Sequence, residues 1–426
     1  MKIRYINSAC LQIEIRGINI LSDPWFTDGA FNGSWFKITA LNPFKYIKKP
    51  SLVYISHIHP DHYDPIFLRK LERKFGGFDI VIPNSKNNYL NRKALRDGFI
   101  TKPVDYYQID GLHIHIIEND TGSISDIDSA MFIYDERSNL SMLNLNDCIY
   151  NPNHEKQIKK IINKYTNRLN LLAVGYSGAS SYPQRYFDLD KEKQKLIEQT
   201  NIKIKTTLNR YKKFTRIFQA DHNLPFAGEY LLGGKLAKYN KWRGIPDALE
   251  TRSFDKKAVI LEHGGSIDLA NSVIRHERTK KLDRDLLNHR IKQISDNKLD
   301  YEKDFNFNET DVNFVLMLRK SLKNALHKSE IKGKFNLVIS ILSNEEVVER
   351  YLIATHKNQI TPLDKAMKTP KRNTTEIKLD FRLLFGLLSG FYHWNNIDLG
   401  SQFQTIRSSN ESFSYEKQNF LNFFNM

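Results

Sequence analysis

The stretch SHIHPDHYD at residues 56–64 decides the fold. It directly follows the apolar run at residues 52–55, which predicts a buried strand, so the polar cluster lies at the carboxyl end of that strand. Side chains two apart in extended backbone point the same way, so His57 and His59 can reach one ion. Asp61 and His62, around the turn, can reach a second position. Imidazole and carboxylate donors of this kind suit Zn²⁺, Fe²⁺ or Mn²⁺, and the cluster therefore predicts a metal site.

The sequence around this cluster predicts alternating strands and helices. Short strand-like runs lie at Leu11–Ile15, Ile18–Leu21, Ser51–Ile55, Asp79–Ile82, Leu112–Ile117, Ser141–Leu145 and Leu171–Gly175. Helical periodicity follows at Ile66–Phe75, His154–Arg168 and Asp188–Thr215. A strand, a loop and a helix thus surround the histidines, and the pattern predicts an α/β fold.

The chain of 426 residues is long enough for more than one substructure. We predict a metal-binding domain over residues 1–265, a charged helical connecting region over 266–334 and a small α+β domain over 335–426. Helix candidates in the last part are Phe381–Phe391 and Tyr415–Phe424. The aromatic cluster at residues 391–394 is expected to pack a core and receives no catalytic role.

Composition restricts the location and the partners. The excess of 64 basic over 48 acidic residues gives a net charge of +16, which fits an anionic partner or a general compositional bias. Basic residues do not form a compact Arg-rich block with interleaved aromatics, which disfavours nucleic acid. No apolar run approaches the ~18 residues of a transmembrane helix. Because Glu14 and Arg16 interrupt any apolar signal core, and because Cys10 and Cys148 are the two cysteines, we expect a cytoplasmic, reducing location.

The HxHxDH pattern of residues 57–62 resembles the signature of the metallo-β-lactamase superfamily. The resemblance implies an αββα sandwich, here with a helical insertion and a small α+β C-terminal appendage. In LSDPWF at residues 21–26, Asp23 resembles the family's early Asp-Pro-Trp aspartate, which orients a ligand histidine. Asp147, after a strand-like run, matches the family's metal-bridging aspartate, although an ordinary turn residue would look the same.

The sequence departs from the family at the histidine expected near the end of the strand starting at Leu112. The matching position falls on Glu118 or Asp120, whereas His113 and His115 lie earlier and are expected to be sheet residues. A carboxylate there is a harder donor than imidazole and shifts the preference towards iron or manganese. Diiron oxygenases of this fold resemble such a pattern.

The family's last histidine ligand has two candidates. His222 is the better match and His263 the second, and either position also fits an ordinary loop histidine. The residues of a second metal position therefore stay open.

Three short motifs resemble CMP-N-acetylneuraminate hydroxylase-like proteins. They are the segments at residues 175–183, 225–228 and 393–396. The Gly/Ser-rich first segment predicts either a close approach of an anionic or sugar ligand, or a plain turn. The Rieske cluster of those hydroxylases needs two Cys and two His, which Cys10 and Cys148, 138 positions apart, do not supply.

Metal-assisted hydrolysis is the leading functional hypothesis. Asp61 would hold the second metal or the attacking water, and Zn²⁺ is expected, with Fe or Mn as alternatives and one or two ions bound. The expected substrate is a small anionic or sugar compound such as a nucleotide-sugar, an amino sugar or a phosphodiester. The alternatives are a diiron-type oxygenase using a separate electron donor and a non-catalytic metal-binding scaffold in surface-polysaccharide biosynthesis.

Overall fold

The computed structural model describes residues 1–123, 127–329, 331, 334–369, 373–407 and 414–426. Its strands, in chain order, are β1 Lys2–Asn7, β2 Cys10–Ile15, β3 Ile18–Ser22, β4 Trp35–Phe36, β5 Leu52–Tyr54, β6 Asp79–Ile82, β7 Lys102–Pro103, β8 Tyr106–Ile109, β9 Leu112–Asn119, β10 Asp128–Asp135, β11 Leu140–Asn144, β12 Leu171–Gly175, β13 His222–Phe226, β14 Leu231–Leu232, β15 Leu261–Asp268, β16 Val273–Glu277, β17 Asn336–Ser343, β18 Glu346–Ala354, β19 Gln359–Pro362, β20 Thr374–Asp380 and β21 Gln404–Arg407. Its helices are α1 Ala30–Gly33, α2 Pro65–Phe75, α3 Tyr89–Arg96, α4 Pro152–Tyr165, α5 Lys193–Phe218, α6 Arg284–Ile294, α7 Asp300–Asp304, α8 Phe314–Lys328, α9 Phe381–Leu388, α10 Trp394–Leu399 and α11 Tyr415–Asn422.

Two sheets face each other in the first part of the chain. The first has eight strands in the order β16-β15-β1-β2-β3-β5-β6-β7, and the second has six in the order β13-β12-β11-β10-β9-β8. Alternating apolar side chains such as Leu11 and Ile13 of β2 meet Ile114 and Ile116 of β9 in a buried core between the sheets. Because side chains alternate along a strand, the opposite faces are left to be covered by helices.

Helices cover both outer faces of this pair of sheets. α2 and α3 pack on the eight-stranded sheet through residues such as Leu68 and Leu71. α4 and α5 pack on the six-stranded sheet through residues such as Ile158 and Phe214. The α/β prediction of an αββα sandwich is therefore confirmed. β15 and β16 extend the first sheet to Glu277, past position 265, where the sequence analysis ends the first domain.

The rest of the chain forms a C-terminal lobe around a five-stranded sheet. Its strand order is β19-β18-β17-β20-β21, with β17 and β20 parallel and the other pairs antiparallel. α8 and α9 pack on this sheet, so the lobe is an α+β appendage to the sandwich.

The core of the lobe also contains aromatic residues from loops of the sandwich. Trp25, Trp35 and Tyr230 belong to the same buried cluster as the apolar residues of α8 and α9. The rings of Trp35 and Tyr230 stack with centroids 3.5 Å apart and planes 5° from parallel. The lobe therefore packs against the sandwich through a shared apolar core.

Every helix in the described residues is too short or too polar to span a lipid bilayer.

Candidate metal centre

The histidine loop of residues 56–64 is held by an aspartate at each end. Asp23 accepts a 2.8 Å hydrogen bond from the backbone N–H of Ser56, where the chain leaves β5. Asp64 caps α2 by accepting from the N–H of Phe67 at 2.9 Å. The same carboxylate accepts from the N–H groups of Phe26 and Thr27 at 3.0 and 2.7 Å. Since both anchors are buried, the loop is fixed relative to the sheet before any ligand binds.

The three histidines of the loop converge as their spacing predicts. Nε2 of His57 lies 2.8 Å from Nδ1 of His59, so these two ring nitrogens face one point. The rings of His57 and His62 have centroids 4.1 Å apart. The hydroxyl of Ser56 lies 2.9 Å from Nδ1 of His57, which leaves Nε2 of that ring turned towards the cluster.

Carboxylates complete two overlapping clusters of donors. One consists of His57, His59 and Asp128, and the other of His57, His62 and Asp147. Within each cluster the donor atoms all lie within 4.8 Å of one another, a spacing that a bound divalent cation can close. Asp61, whose Oδ2 is 3.5 Å from Nε2 of His62, lies beside the second cluster.

Asp23 lies behind this arrangement and contacts His62 and Asn146. Its Oδ2 lies 3.3 Å from Nδ1 of His62 and also accepts a hydrogen bond from the side-chain amide of Asn146. Asn146 itself has a φ of 50° and precedes Asp147 in the turn after β11. Asp23 therefore contacts both the ligand loop and the turn that carries Asp147.

The electrostatics of the cluster suit a cation. Burial and the neighbouring imidazoles of His62 and His59 hold the pKa of His57 well below its usual value, so its ring is neutral and free to coordinate. Burial opposes protonation of His62, but the carboxylates of Asp61, Asp147 and Asp23 raise its pKa well above the usual value. Those carboxylates gather negative charge at a buried point, which a bound cation would neutralise.

Among the described residues, the two donor clusters do not include Glu118, Asp120 or His222. Asp120 is exposed and accepts a hydrogen bond from the N–H of Gly122. His222 lies at the amino end of β13, 3.1 Å from the hydroxyl of Ser272, whereas the clusters lie at the carboxyl ends of β5 and β11 and at the amino end of β10. Glu118 is half-buried in β9, opposite Ser129.

Asp128 lies at the end of β9, where the family resemblance predicts Glu118 or Asp120 as a ligand. In the antiparallel pairing of β9 and β10, Asp128 lies directly opposite Asn119. The hairpin thus brings an acid of β10 to the end of β9. Its Oδ1 is 3.6 Å from Nε2 of His57.

The remaining histidines of the sequence analysis have other partners. Nε2 of His115 lies 2.9 Å from the Tyr165 hydroxyl, and Nδ1 of His113 lies 2.8 Å from the Tyr106 hydroxyl, so both are sheet residues as predicted. His263 stacks on Tyr5, with its Nε2 3.3 Å from a carboxylate oxygen of Glu229.

Two neighbouring cavities open onto the donors. The smaller, of about 170 Å³, is lined by Asp61, Asp128 and Asp147 and by Arg210 of α5, whose guanidinium donates to the Ser177 carbonyl. The larger, of about 560 Å³, lies between the sandwich and the C-terminal lobe. Because His59 and Asp128 line both cavities, a ligand in the larger space can reach the donors.

Segments singled out in the sequence line these cavities. Residues 177–179 border the smaller cavity and residues 179–182 border the larger one. A Cβ on Gly178 would lie 3.3 Å from a methyl group of Thr207, so a small residue here lets the segment pack against α5. Trp394 and Tyr392 are buried in the core of the lobe, as expected for the aromatic cluster, although Phe391 is exposed.

Sequence reasoning missed three residues at the site, namely Asp128, Arg210 and Asn395. Oδ1 of Asn395 lies 3.0 Å from Nε2 of His59, across 336 positions of sequence. The motif at residues 393–396 carries only a family resemblance, and no local pattern connects it to the histidine loop. Arg210 carries no signal in a long helix rich in basic residues.

Comparison with known proteins agrees with this fold. Residues 2–162 match the family model described as a beta-lactamase superfamily domain. A cytidine monophosphate-N-acetylneuraminic acid hydroxylase from Danio rerio is 25% identical over 150 residues, which cover 34% of this chain and 25% of that protein. The inactive Homo sapiens counterpart is 22% identical over 249 residues, covering 57% of this chain and 47% of that protein. The chain thus spans between a quarter and about half of the length of these relatives.

Solved structures with some likeness include a metallo hydrolase from Ignicoccus hospitalis. It has a TM-score of 0.41 and 17% identity, and the match covers 62% of this chain and 97% of that one. At this level the likeness bears on neither substrate nor reaction. Residues 2–162 are thus similar to a beta-lactamase superfamily domain, and the αββα architecture agrees with that similarity.

Proposed function

We propose that the protein is a metal-dependent hydrolase that acts on a small anionic substrate. The observation that carries the proposal is the pair of overlapping His/Asp clusters, which share His57 and border a cavity. Three imidazoles and several carboxylates gathered at strand ends in a buried loop are costly to maintain unless they bind a cation.

The donors fit one or two divalent cations. His57, His59 and Asp128 would hold one, and His62 and Asp147, with Asp61 beside them, would hold a second. Mixed nitrogen and oxygen donors suit Zn²⁺, with Fe²⁺ or Mn²⁺ as the alternatives. Such a cation supplies a Lewis acid that lowers the pKa of a water towards ~7. Glu118, Asp120 and His222 are not needed for this arrangement.

The remaining residues of the smaller cavity bind and orient the reactants. Asp61 accepts a hydrogen bond from the attacking water and takes its proton as general base. The Arg210 guanidinium, on the same cavity wall as Asp147, donates to a phosphoryl or carbonyl oxygen of the substrate. Trp35 and Tyr230, which stack on each other, line the same cavity and help to exclude bulk water.

The larger cavity supports an anionic substrate. Arg407 lies on its wall and donates a 3.0 Å hydrogen bond to the Tyr186 hydroxyl. Lys417 lies on the same wall, and burial together with the nearby Arg407 lowers its pKa. Two neighbouring cations facing a mainly apolar cavity favour an organic phosphate or carboxylate, a nucleotide-sugar among them.

A second candidate function, a diiron oxygenase with a separate electron donor, is favoured by one observation. Asp128 gives the first cluster an oxygen donor where related hydrolases hold histidine, and hard donors favour iron. The similarity to hydroxylases over part of the chain points the same way.

Metal analysis combined with turnover tests the proposal. The protein is purified after growth with zinc, iron and manganese, and its metal content is measured beside hydrolysis of bis(p-nitrophenyl) phosphate and p-nitrophenyl acetate. We expect at least one equivalent of zinc or manganese and metal-dependent hydrolysis, both lost in His59→Ala. His289→Ala, which alters an exposed histidine on α6, is the matched control and should change neither.

The other outcomes contradict the proposal in different ways. About two irons per chain, with consumption of dioxygen in the presence of a chemical reductant and no hydrolysis, would support the oxygenase. A wild-type protein that carries metal but neither hydrolyses the esters nor consumes dioxygen would support the non-catalytic metal-binding scaffold, and one without metal would refute the metal site. Full metal content in His59→Ala would refute the assignment of the site.

A further inference from the structure

The C-terminal lobe contributes one polar side chain directly to the histidine cluster. The Asn395 side-chain oxygen lies 3.0 Å from Nε2 of His59, and Asn395 is 9% exposed. This contact joins the first helical turn of α10 to the loop of the sandwich.

The contact with Asn395 matters because the other ring nitrogen of His59, Nδ1, faces the donor cluster. Nδ1 of His59 lies 2.8 Å from Nε2 of His57 and belongs to the donor cluster with Asp128. A neutral imidazole carries a proton on one nitrogen and a lone pair on the other. An amide oxygen can only accept a hydrogen bond, so Nε2 must carry the ring proton in this contact. The lone pair is then on Nδ1, which faces the cluster.

We propose that Asn395 is a positioning residue that fixes the tautomer and the orientation of His59 for metal binding. It does so by accepting the Nε2 proton through its side-chain oxygen. This inference rests on the proposed metal centre and assigns to the C-terminal lobe a part in building it. Partners of this kind, behind a ligand histidine, commonly change metal affinity 10–100-fold when removed.

Contacts around α10 hold Asn395 in place. The indole N–H of Trp394 donates a 2.8 Å hydrogen bond to the Phe424 carbonyl, and the Trp394 ring packs on Phe403. At the other end of the helix, a Cβ on Gly400 would lie 2.7 Å from the Ser34 hydroxyl, so the chain there abuts the sandwich closely. The amide of Gln402 donates to the Phe31 carbonyl at 2.6 Å. The amide of Asn395 is therefore presented from a fixed backbone.

The test compares two substitutions of Asn395 with a matched control. Asn395→Leu removes the acceptor at similar volume, whereas Asn395→Asp keeps an oxygen acceptor. Asn396→Leu is the control, because Asn396 is the next residue of α10 and its side chain makes no hydrogen bond within the described part of the chain. Zinc affinity is measured by competition with a chromogenic chelator, and circular dichroism checks that each variant folds.

We expect Asn395→Leu to bind zinc 10–100-fold more weakly than wild type. Asn395→Asp should bind within about threefold of wild type or more tightly, since carboxylates also serve as partners of ligand histidines. Asn396→Leu should match wild type. Nitrogen-15 spectra of histidine-labelled, metal-free protein should show His59 protonated on Nε2 in wild type and a mixture of tautomers in Asn395→Leu.

Three results would overturn the inference. The first is that Asn395→Leu binds zinc as tightly as wild type. The second is that Asn395→Asp binds zinc as weakly as Asn395→Leu, which would mean that the amide of Asn395 donates a hydrogen bond or merely packs. The third is an unchanged tautomer of His59 in Asn395→Leu. Failure of the proposed function is distinguishable, because wild-type protein would then bind no zinc while the tautomer of His59 would still be measurable.

Discussion

Asp64 anchors one end of the histidine loop, and the cost of removing its side chain can be calculated from its contacts. Its carboxylate is buried and accepts hydrogen bonds from the N–H groups of Phe26, Thr27 and Phe67. Loss of an N-cap costs about 1 kcal/mol. Each buried N–H that loses a charged partner costs about 1.5–3 kcal/mol. We therefore expect Asp64→Ala to lower the free energy of unfolding by about 4–7 kcal/mol.

A matched control separates the cap from the loop contacts. Asp283 also caps a helix, α6, by accepting from the N–H groups of Asp285 and Leu286, but it is exposed, and within the described residues its carboxylate accepts from this helix alone. Asp283→Ala should cost only about 1 kcal/mol. The difference between the two variants measures the contacts of Asp64 with residues 26 and 27.

Equilibrium denaturation in guanidinium chloride, with a chelator present so that bound metal does not contribute, measures both losses. Because 5–15 kcal/mol is a usual total for a domain, Asp64→Ala should bring the fold close to its limit and weaken zinc binding as well. Equal losses of about 1 kcal/mol in the two variants would show that Asp64 is an ordinary helix cap and that the loop is held by other contacts.

Two further predictions concern His115 and Asp128. Burial, with Lys164 and His113 nearby, lowers the pKa of His115 to about 4. Since the unfolded value is about 6.5, the unfolded chain binds the proton more readily, so stability is complete above pH 6.5 and falls as the pH drops towards 4. His115→Phe should flatten the pH dependence of the unfolding free energy between these values, and an unchanged slope would contradict the reasoning. Asp128→Ala should lose at least one equivalent of metal by elemental analysis, while Asp120→Ala should keep wild-type content; the reverse pattern would return the ligand role to Asp120.

Much of the sandwich could be predicted from the sequence because strand length and apolar pattern are local. The strands predicted at Asp79–Ile82 and Leu171–Gly175 coincide with β6 and β12. The long helix was predicted from Asp188 but begins at Lys193, because the Asp188 side chain accepts from the N–H groups of Asp190 and Lys191 and holds a turn instead. Such competition between side chain and backbone is hard to weigh from composition.

The candidate metal centre can be predicted only where its residues are close in sequence. His57, His59 and His62 lie within six positions at the end of one strand, and their convergence follows from backbone geometry. Asp128 depends on the register of a hairpin, and Asn395 depends on how a separate lobe packs. Neither pairing register nor the docking of a distant lobe leaves a local mark in the sequence.

The pairing of β1 with β15 has a consequence for synthesis of the chain on the ribosome. β1 pairs with β2 on one side, but its other edge is covered by residues 261–268. At roughly 5–20 residues per second, that partner emerges about 13–50 s after β1 itself. During this interval the edge of β1 that β15 later covers is exposed, and another strand can pair with it. Truncated products ending before Leu261 should therefore aggregate through β1, and chaperone binding to this segment would protect the growing chain.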